Sequence, residues 1–403
     1  MTHVVVIGAG QAGRALVARL RADGFEGQIT LVGAEPHPPY QRPPLSKDYL
    51  LGESPRERLF LRPESFYPEH GIDLRLGAEV ASIDTGRQVV GLVTGAEIPY
   101  DELVLTTGSS PRKLPAAIGG DLGGVLVMRD IRDADRLAPE MVQGRHVLVV
   151  GGGYIGLEAA AVCAKRGLRV TLIEMAPRIL QRVASPETSD YFRALHAGMG
   201  VDIREGVGLE RLVGEDGHVR AALLSTGEEL PVDLVLVGVG IVPNTKLAES
   251  AGIEVENGIK TDAHGRTSAP HVWAAGDCAS FPHGEGRIRL ESVGNAIDQA
   301  ETVARNIMGA ETPYVAAPWF WSDQYDTKLQ IAGLNTGYDR VYVRHAGEGL
   351  SHWYYCGDRL VAVDAMNDSR AYMVGKRLIE AGKSPAPDLL TNAGTDLKAL
   401  LKA

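Results

Sequence analysis

Two hexapeptides, GAGQAG at 8–13 and GGGYIG at 151–156, place their glycines at the spacing GxGxxG. The chemistry of that spacing is the holding of a dinucleotide's pyrophosphate. The first glycine allows a tight turn, the second lets the backbone approach phosphate, and the third lets the following helix lie close on its strand. Gly8, Gly10 and Gly13 form the first set; Gly151, Gly153 and Gly156 form the second. A carboxylate about 20 residues further on accepts hydrogen bonds from a ribose, and Glu35 and Glu174 stand there. At Glu174 the negative charge would repel a 2'-phosphate, which favours NADH over NADPH; Arg178 is the nearby cation that would offset this.

Each cradle needs a strand before it and a helix after it. Val4 to Ile7 is a short β-branched run, as in a parallel strand covered on both faces, and Gln11 to about Asp23 reads as the helix aiming its N-terminus at phosphate. Ile29 to Val32 reads as the strand leading to Glu35. The pattern recurs with HVLVV from His146, a helix from about Tyr154 to Arg166, and Val170 to Ile173 ahead of Glu174. Two complete sets in one chain imply electrons passing between two dinucleotides, with the nicotinamide as hydride donor and FAD as acceptor.

At 403 residues the chain has room for two or three domains. Its formal charge of −10 argues against general nucleic-acid binding. Cys163, Cys278 and Cys356 lack paired spacing, which points to a reducing compartment without a disulfide framework. With no signal peptide pattern and no apolar run of membrane-spanning length, the expectation is a cytoplasmic protein. No metal site is expected.

His37 to Lys47, HPPYQRPPLSK, is dense in proline and reads as a rigid, extended loop. It presents Arg42 and Lys47 either to a cofactor or to solvent; the residues alone leave both open. Arg56, Arg58 and Arg62 form a small basic cluster of the kind usual on a solvated face. Strands are expected at 77–84, 89–93, 97–100 and 100–108, then connecting structure through Arg129. Val232 to Val239 reads as a buried strand. In APHVWAAGDCAS, Asp277 at a strand end can hydrogen-bond a polyol such as a ribityl chain, or simply cap the next turn. Glu291 to Met308 reads as an amphipathic helix whose N-terminal dipole suits negative charge on a reduced flavin. In the last hundred residues Trp319, Phe320 and Trp321 cluster. Strand-like runs follow at 330–332 and 340–344, then a hairpin, 353–355 with 360–363, turning at Gly357 and Asp358, and a helix from about Arg370 to Ala381 that closes the domain.

Taken together, GAGQAG with Glu35, RPPLSK, LTTGSSPR, GGGYIG with Glu174, WAAGD, ESVGNAIDQA and WFWSDQYD resemble the FAD-dependent pyridine-nucleotide oxidoreductases. Within them the chain is similar to the NADH-dependent ferredoxin reductases that serve cytochrome P450 and ring-hydroxylating oxygenases. The resemblance implies an α/β fold of two Rossmann-like dinucleotide-binding domains, the NADH domain inserted in the FAD domain, plus a C-terminal α+β domain. The expected division is 1–110 and 239–312 for FAD, 111–238 for NADH and 313–403 for the interface domain. Carried over by position, Ala12, Glu35, Lys47, Val80, Arg129, Asp277 and Val293 would contact FAD, with Arg42 and Glu291 beside them. Tyr154, Ile155, Glu158, Glu174 and Gly240 would lie along NADH, and Trp321 would edge the flavin. Lys47, paired with Glu158, would tune the reduced ring, and with Trp321 these are the candidate catalytic residues.

The implied reaction carries a hydride from NADH to FAD and then single electrons to a two-iron ferredoxin. Disulfide reductases of this superfamily need a cysteine pair and its peroxidases a thiol near Tyr40 to Ser46; the chain has neither. It also has Asn367, Asp368 and Ser369 where related reductases show Asn-Arg-Pro. Other readings are a rubredoxin reductase and a redox-sensing flavoprotein resembling apoptosis-inducing factor. A monomer or weak dimer is expected, away from membrane and nucleic acid. Arg305, Arg340, Arg344, Lys376, Arg377 and Lys383 are candidates for a basic patch that docks an acidic ferredoxin.

Overall fold

The computed structural model describes residues 1–402. They form two compact units, one of residues 1–41, 56–110 and 242–318, the other of 42–55, 111–241 and 319–402.

In the first unit the β-branched run becomes the His3–Ile7 strand at the centre of a five-stranded parallel sheet. Gln28–Val32 and Ile72–Arg75 lie to one side, and Glu102–Leu105 and Val272–Ala274 to the other. Helices Gln11–Ala22 and Val293–Ile307 cover one face, burying Leu16, Leu20, Ala300 and Val303 together. A small antiparallel sheet of Val80–Asp84, Val89–Leu92 and Glu97–Pro99 joins the core on the other face. The late strand Val272–Ala274 pairs with Glu102–Leu105, so the polypeptide returns to its first sheet after a long excursion.

The second unit repeats the plan. Its parallel sheet runs Asp202–Glu205, Arg169–Glu174, His146–Val150, Leu234–Val237, Val125–Leu126. All five residues of His146–Val150 are buried, as the apolar run requires of a strand covered on both faces. The C-terminal stretch folds into an antiparallel sheet ordered Trp319–Gln324, Thr327–Gly333, Arg359–Met366, Gly349–Cys356, Arg340–Ala346. Gly357, at φ 56, makes the tight hairpin turn, and helix Ser369–Glu380 lies on the sheet.

Several local readings need correction. The proline-rich loop is not extended throughout: Pro43–Ser46 is a 3-10 turn with proline at its first positions, because a fixed φ near −65° suits the start of a helical turn as well as an extended segment. Helix Pro186–Gly198 and the Leu209–Glu215, His218–Leu224, Glu229–Pro231 meander occupy a stretch the sequence reading passed over. The chain does not close at Ala381. Two further short helices, Pro387–Thr391 and Leu397–Leu401, bury Leu390, Leu397 and Leu400. No helix among the described residues is long and apolar enough to cross a membrane.

Candidate functional site

The first cradle lies where His3–Ile7 gives way to Gln11–Ala22. Gly8 sits at φ 117, and a Cβ there would lie 2.1 Å from the carbonyl oxygen of Thr106. A Cβ on Gly13 would lie 2.1 Å from the Gly8 oxygen, whereas one on Gly10 would meet nothing within 4 Å. The outer glycines are thus demanded by the protein's own packing. The middle one faces open space, where a side chain would stand in a ligand's way. Ala12 lies in the first turn of helix Gln11–Ala22. A Cβ on Gly276 would come 3.0 Å from that of Ala12, which sets the Asp277 backbone beside the cradle. Asp277 Oδ2 accepts from Ser109 Oγ at 2.8 Å. Glu35 Oε2 accepts from the Tyr40 hydroxyl at 2.5 Å. Glu291 pairs with Arg289, which also donates to the Asp277 carbonyl at 3.2 Å. Ser292 caps the helix that Val293 begins. Val80 opens the first strand of the small antiparallel sheet.

The second cradle has the same division of labour. A Cβ on Gly151 would lie 2.5 Å from the Gly238 oxygen and one on Gly156 2.0 Å from the Gly151 oxygen, while Gly153 faces open space. Glu174, at the end of its strand, holds the turn directly: its carboxylate accepts from Gly152 N at 2.7 Å and Ala176 N at 2.8 Å. Arg178 is engaged by its own surroundings. It donates to the carbonyls of Ala184 and Ser185 and to Ser189 Oγ, so it leaves the Glu174 charge in force. Tyr154 begins the helix with its ring centroid 5.0 Å from that of Phe320, and Ile155 is exposed. Gly240, at φ 94, accepts from Arg112 N at 2.9 Å.

The second unit also assembles a polar cluster around Glu158, which projects from the second helix and is 3 % exposed. Ser46 Oγ donates to its Oε2 at 2.9 Å and Ser322 Oγ to its Oε1 at 2.7 Å. Lys47 Nζ lies 3.4 Å from Oε1 and 3.2 Å from Asp323 Oδ2. Burial pushes the Glu158 carboxyl up, against the opposing pull of Lys47, Ser322 and Ser46. The lysine is carried by the 3-10 turn of the two prolines, the serine and aspartate by the strand of the aromatic cluster. Lys47 Nζ stands 5.9 Å from the Trp321 ring centroid, and Trp321 stacks on Trp319 at 5.6 Å. Arg42 Nη1 donates to the Arg129 carbonyl at 2.8 Å.

Sequence reading paired Lys47 with Glu158 but missed Ser46, Ser322, Asp323 and the fully buried Gln324 and His196 behind them. Ser46 inside RPPLSK and the alternating SDQ after the tryptophans were the available signals. Of the six cations proposed for a docking patch, one is withdrawn into the fold. Arg344 is 4 % exposed and spends its guanidinium on the carbonyls of Leu390, Asn392, Ala393 and Thr395. Lys376 pairs with Glu380, Arg340 with Asp339, Arg305 with Glu301, and Lys383 donates to the Leu401 carbonyl. Among the described residues Arg377 alone of the six has no such partner, and only Lys376, Arg340 and Arg305 face a carboxylate. The thiols are free: Cys163 and Cys278 are buried and Cys356 exposed. Burial pushes the Cys163 thiol up to about 12 and raises that of Cys278 as well, which denies both the thiolate form that redox exchange needs.

Two family patterns match the chain: pyridine nucleotide-disulphide oxidoreductase over residues 2–300 and reductase C-terminal over 319–401. A ferredoxin–NAD(P)(+) reductase of Sphingomonas is 46 % identical over 388 residues, 94 % of each chain. A putidaredoxin reductase of Pseudomonas putida is 41 % identical, covering all of this chain and 97 % of its own. The crystal structure of a covalent putidaredoxin reductase–putidaredoxin complex superposes with a TM-score of 0.95 at 40 % identity, over 100 % of this chain and 98 % of that one.

Proposed function

Since the chain belongs to the pyridine nucleotide-disulphide oxidoreductase family, we propose that it is an FAD-dependent reductase carrying electrons from NADH to a small iron–sulfur ferredoxin. That ferredoxin would supply a cytochrome P450 or ring-hydroxylating oxygenase, as the likeness to ferredoxin reductases supports. The observation that carries the reading is the pair of cradles with one plan: outer glycines locked by backbone, and the middle glycines, Gly10 and Gly153, open. The absence of a paired or thiolate cysteine in either cradle fits a reductase without a disulfide relay. Bound flavin would supply the chemistry no side chain has, taking two electrons from a nicotinamide and giving them up singly.

The residues around each cradle bind, orient and set charge. Gly8, Gly10, Ala12 and Gly13 would hold the FAD pyrophosphate on the first helix, with Glu35 toward the ribose and Asp277 toward the polyol. Arg42, Val80, Arg129, Glu291, Val293 and Trp321 complete the proposed flavin set. The 151–156 turn, Glu174 and Gly240 would hold NADH. Lys47 would present a cation to the reduced ring, kept in place by Glu158. The domain division follows: 1–110 with 239–312 for FAD, 111–238 for NADH, and 313–403 for the interface with the iron–sulfur partner. Three free cysteines fit the reducing cytoplasm.

The test is NADH-dependent reduction of cytochrome c with and without added ferredoxin. Strong dependence on ferredoxin is the expected result. Ferredoxin-independent turnover, or a response to rubredoxin alone, would contradict the choice of acceptor.

A further inference from the structure

Behind Glu158 runs a chain of buried polar groups that the reaction as proposed does not use. Ser322 Oγ donates to Glu158 at 2.7 Å, Gln324 Nε2 donates to Ser322 Oγ at 3.1 Å, and His196 Nε2 lies 2.8 Å from Gln324 Oε1. Tyr325 Oη stands 3.3 Å from His196 Nδ1. Ser322, Gln324 and His196 are fully buried, so the bonds they make to one another replace those that bulk water would offer.

The directions are linked. A carbonyl oxygen can only accept, so His196 must carry its proton on Nε2, which leaves Nδ1 to accept from Tyr325. With the Gln324 oxygen thus satisfied, its amide must donate to Ser322, whose one proton then has only Glu158 to go to. Turning the Gln324 amide half a revolution would reverse the series. Its nitrogen would meet a histidine lone pair, its oxygen would take the Ser322 proton, and Glu158 would lose a donor. The tautomer of a histidine on helix Pro186–Gly198 therefore decides what a carboxylate on another helix receives.

From this geometry we infer that His196 is a positioning residue which, through Gln324 and Ser322, holds Glu158 as a carboxylate facing Lys47. The groups around the series agree. Burial lowers the His196 pKa, keeping the ring neutral, and raises those of Tyr325 and Cys163, keeping both protonated. The charged groups facing Glu158 are Lys47 and, beyond it, Asp323. Burial drives Glu158 towards its neutral acid, and Lys47, then the Ser322 and Ser46 donors, oppose that drive. The role of Glu158 beside a nucleotide rests on the function proposed above; its ionisation does not.

The experiment is an infrared titration of the purified flavin-loaded protein, in which the protonated-carboxyl band absent from Glu158→Gln identifies Glu158. His196→Leu and Ser322→Ala should each raise the pH at which that band appears by about one unit, a tenfold shift in proton affinity. His196→Gln, which keeps a donor near the Nε2 position, should restore most of it. Nitrogen NMR of the histidine rings should show His196 with its proton on Nε2. If His196→Leu unfolds, Ser322→Ala and the ring tautomer decide. A lowered melting temperature with an unmoved carboxyl titration, or a proton on Nδ1, would overturn the inference. A colourless wild type would instead count against the flavin reading.

Discussion

Lys47 Nζ lies 3.4 Å from Glu158 Oε1, joining a proline-rich turn near the N-terminus to the helix of the second glycine cradle. The lysine is only 15 % exposed on its side chain and has a second carboxylate, Asp323, at 3.2 Å, so its place is fixed from two sides. Lys47→Ala should slow reduction of the flavin by NADH in stopped flow by about tenfold or more, since a preplaced charge acts on the transition state. An unchanged rate would remove Lys47 from the mechanism.

The two kinds of glycine in a cradle should fail differently. Gly13→Ala sets a methyl 2.1 Å from the Gly8 carbonyl oxygen, an overpacking that costs about 1–3 kcal/mol and should lower the melting temperature. Gly10→Ala meets no protein atom within 4 Å, so its apoprotein should melt like the wild-type apoprotein, while the variant should lose FAD on gel filtration. Equal effects on both properties at both positions would contradict the open-face assignment.

Cofactor preference follows from Glu174 and Arg178. With Arg178 hydrogen-bonded to the carbonyls of its own loop and to Ser189, its donors are not free to take up a 2'-phosphate, which the Glu174 charge opposes. NADH should be preferred to NADPH in kcat/KM by roughly tenfold or more, one close charge repulsion being worth at least about 1.4 kcal/mol. Glu174→Gln should narrow the ratio. It also weakens the acceptor for Gly152 and Ala176, so a smaller rise in KM for NADH is expected.

A second buried polar group ties helix Pro186–Gly198 to the C-terminal sheet: Thr188 Oγ1 lies 2.7 Å from His352 Nδ1 and 2.8 Å from Asp364 Oδ2, and the Tyr354 hydroxyl donates to Asp364. Desolvation lowers His352 from 6.5 to about 4 and raises Asp364 from 3.8 to about 6. The signs oppose. As pH falls from 6.5 to about 4, the unfolded chain protonates its histidine while the native one does not, and stability is lost. Between about 6 and 3.8 the native Asp364 takes up a proton the unfolded chain does not, and stability is gained. The pair should nearly cancel, so Asp364→Asn should make stability fall more steeply with acid over that window, by roughly 2–3 kcal/mol in denaturant midpoints at constant slope. Identical pH profiles for the two proteins would refute the assignment.

Local reading went far because both cradles are continuous in sequence: the strand, three glycines and helix that make each one are adjacent, and their physics is local. The pairing of Val272–Ala274 with Glu102–Leu105 was legible only through the family resemblance. The Glu158 surroundings were half legible. Lys47 and Glu158 each stand in a recognisable motif, whereas Ser322, Gln324 and His196 carry no motif and meet only because a strand of the C-terminal sheet and helix Pro186–Gly198 pack on one another. One candidate for the docking patch was misplaced for a related reason. Counting cations cannot reveal that Arg344 is spent inside the fold on four carbonyls.

The central claim is that two nucleotide cradles without a thiol relay feed electrons to an external one-electron carrier, and an anaerobic titration tests it most directly. The purified protein should be yellow, lose its visible flavin absorbance on stoichiometric NADH, and regain it when oxidised two-iron ferredoxin is added. A protein that is colourless and takes up no FAD, or one whose NADH-bleached flavin ferredoxin cannot reoxidise, would contradict the account.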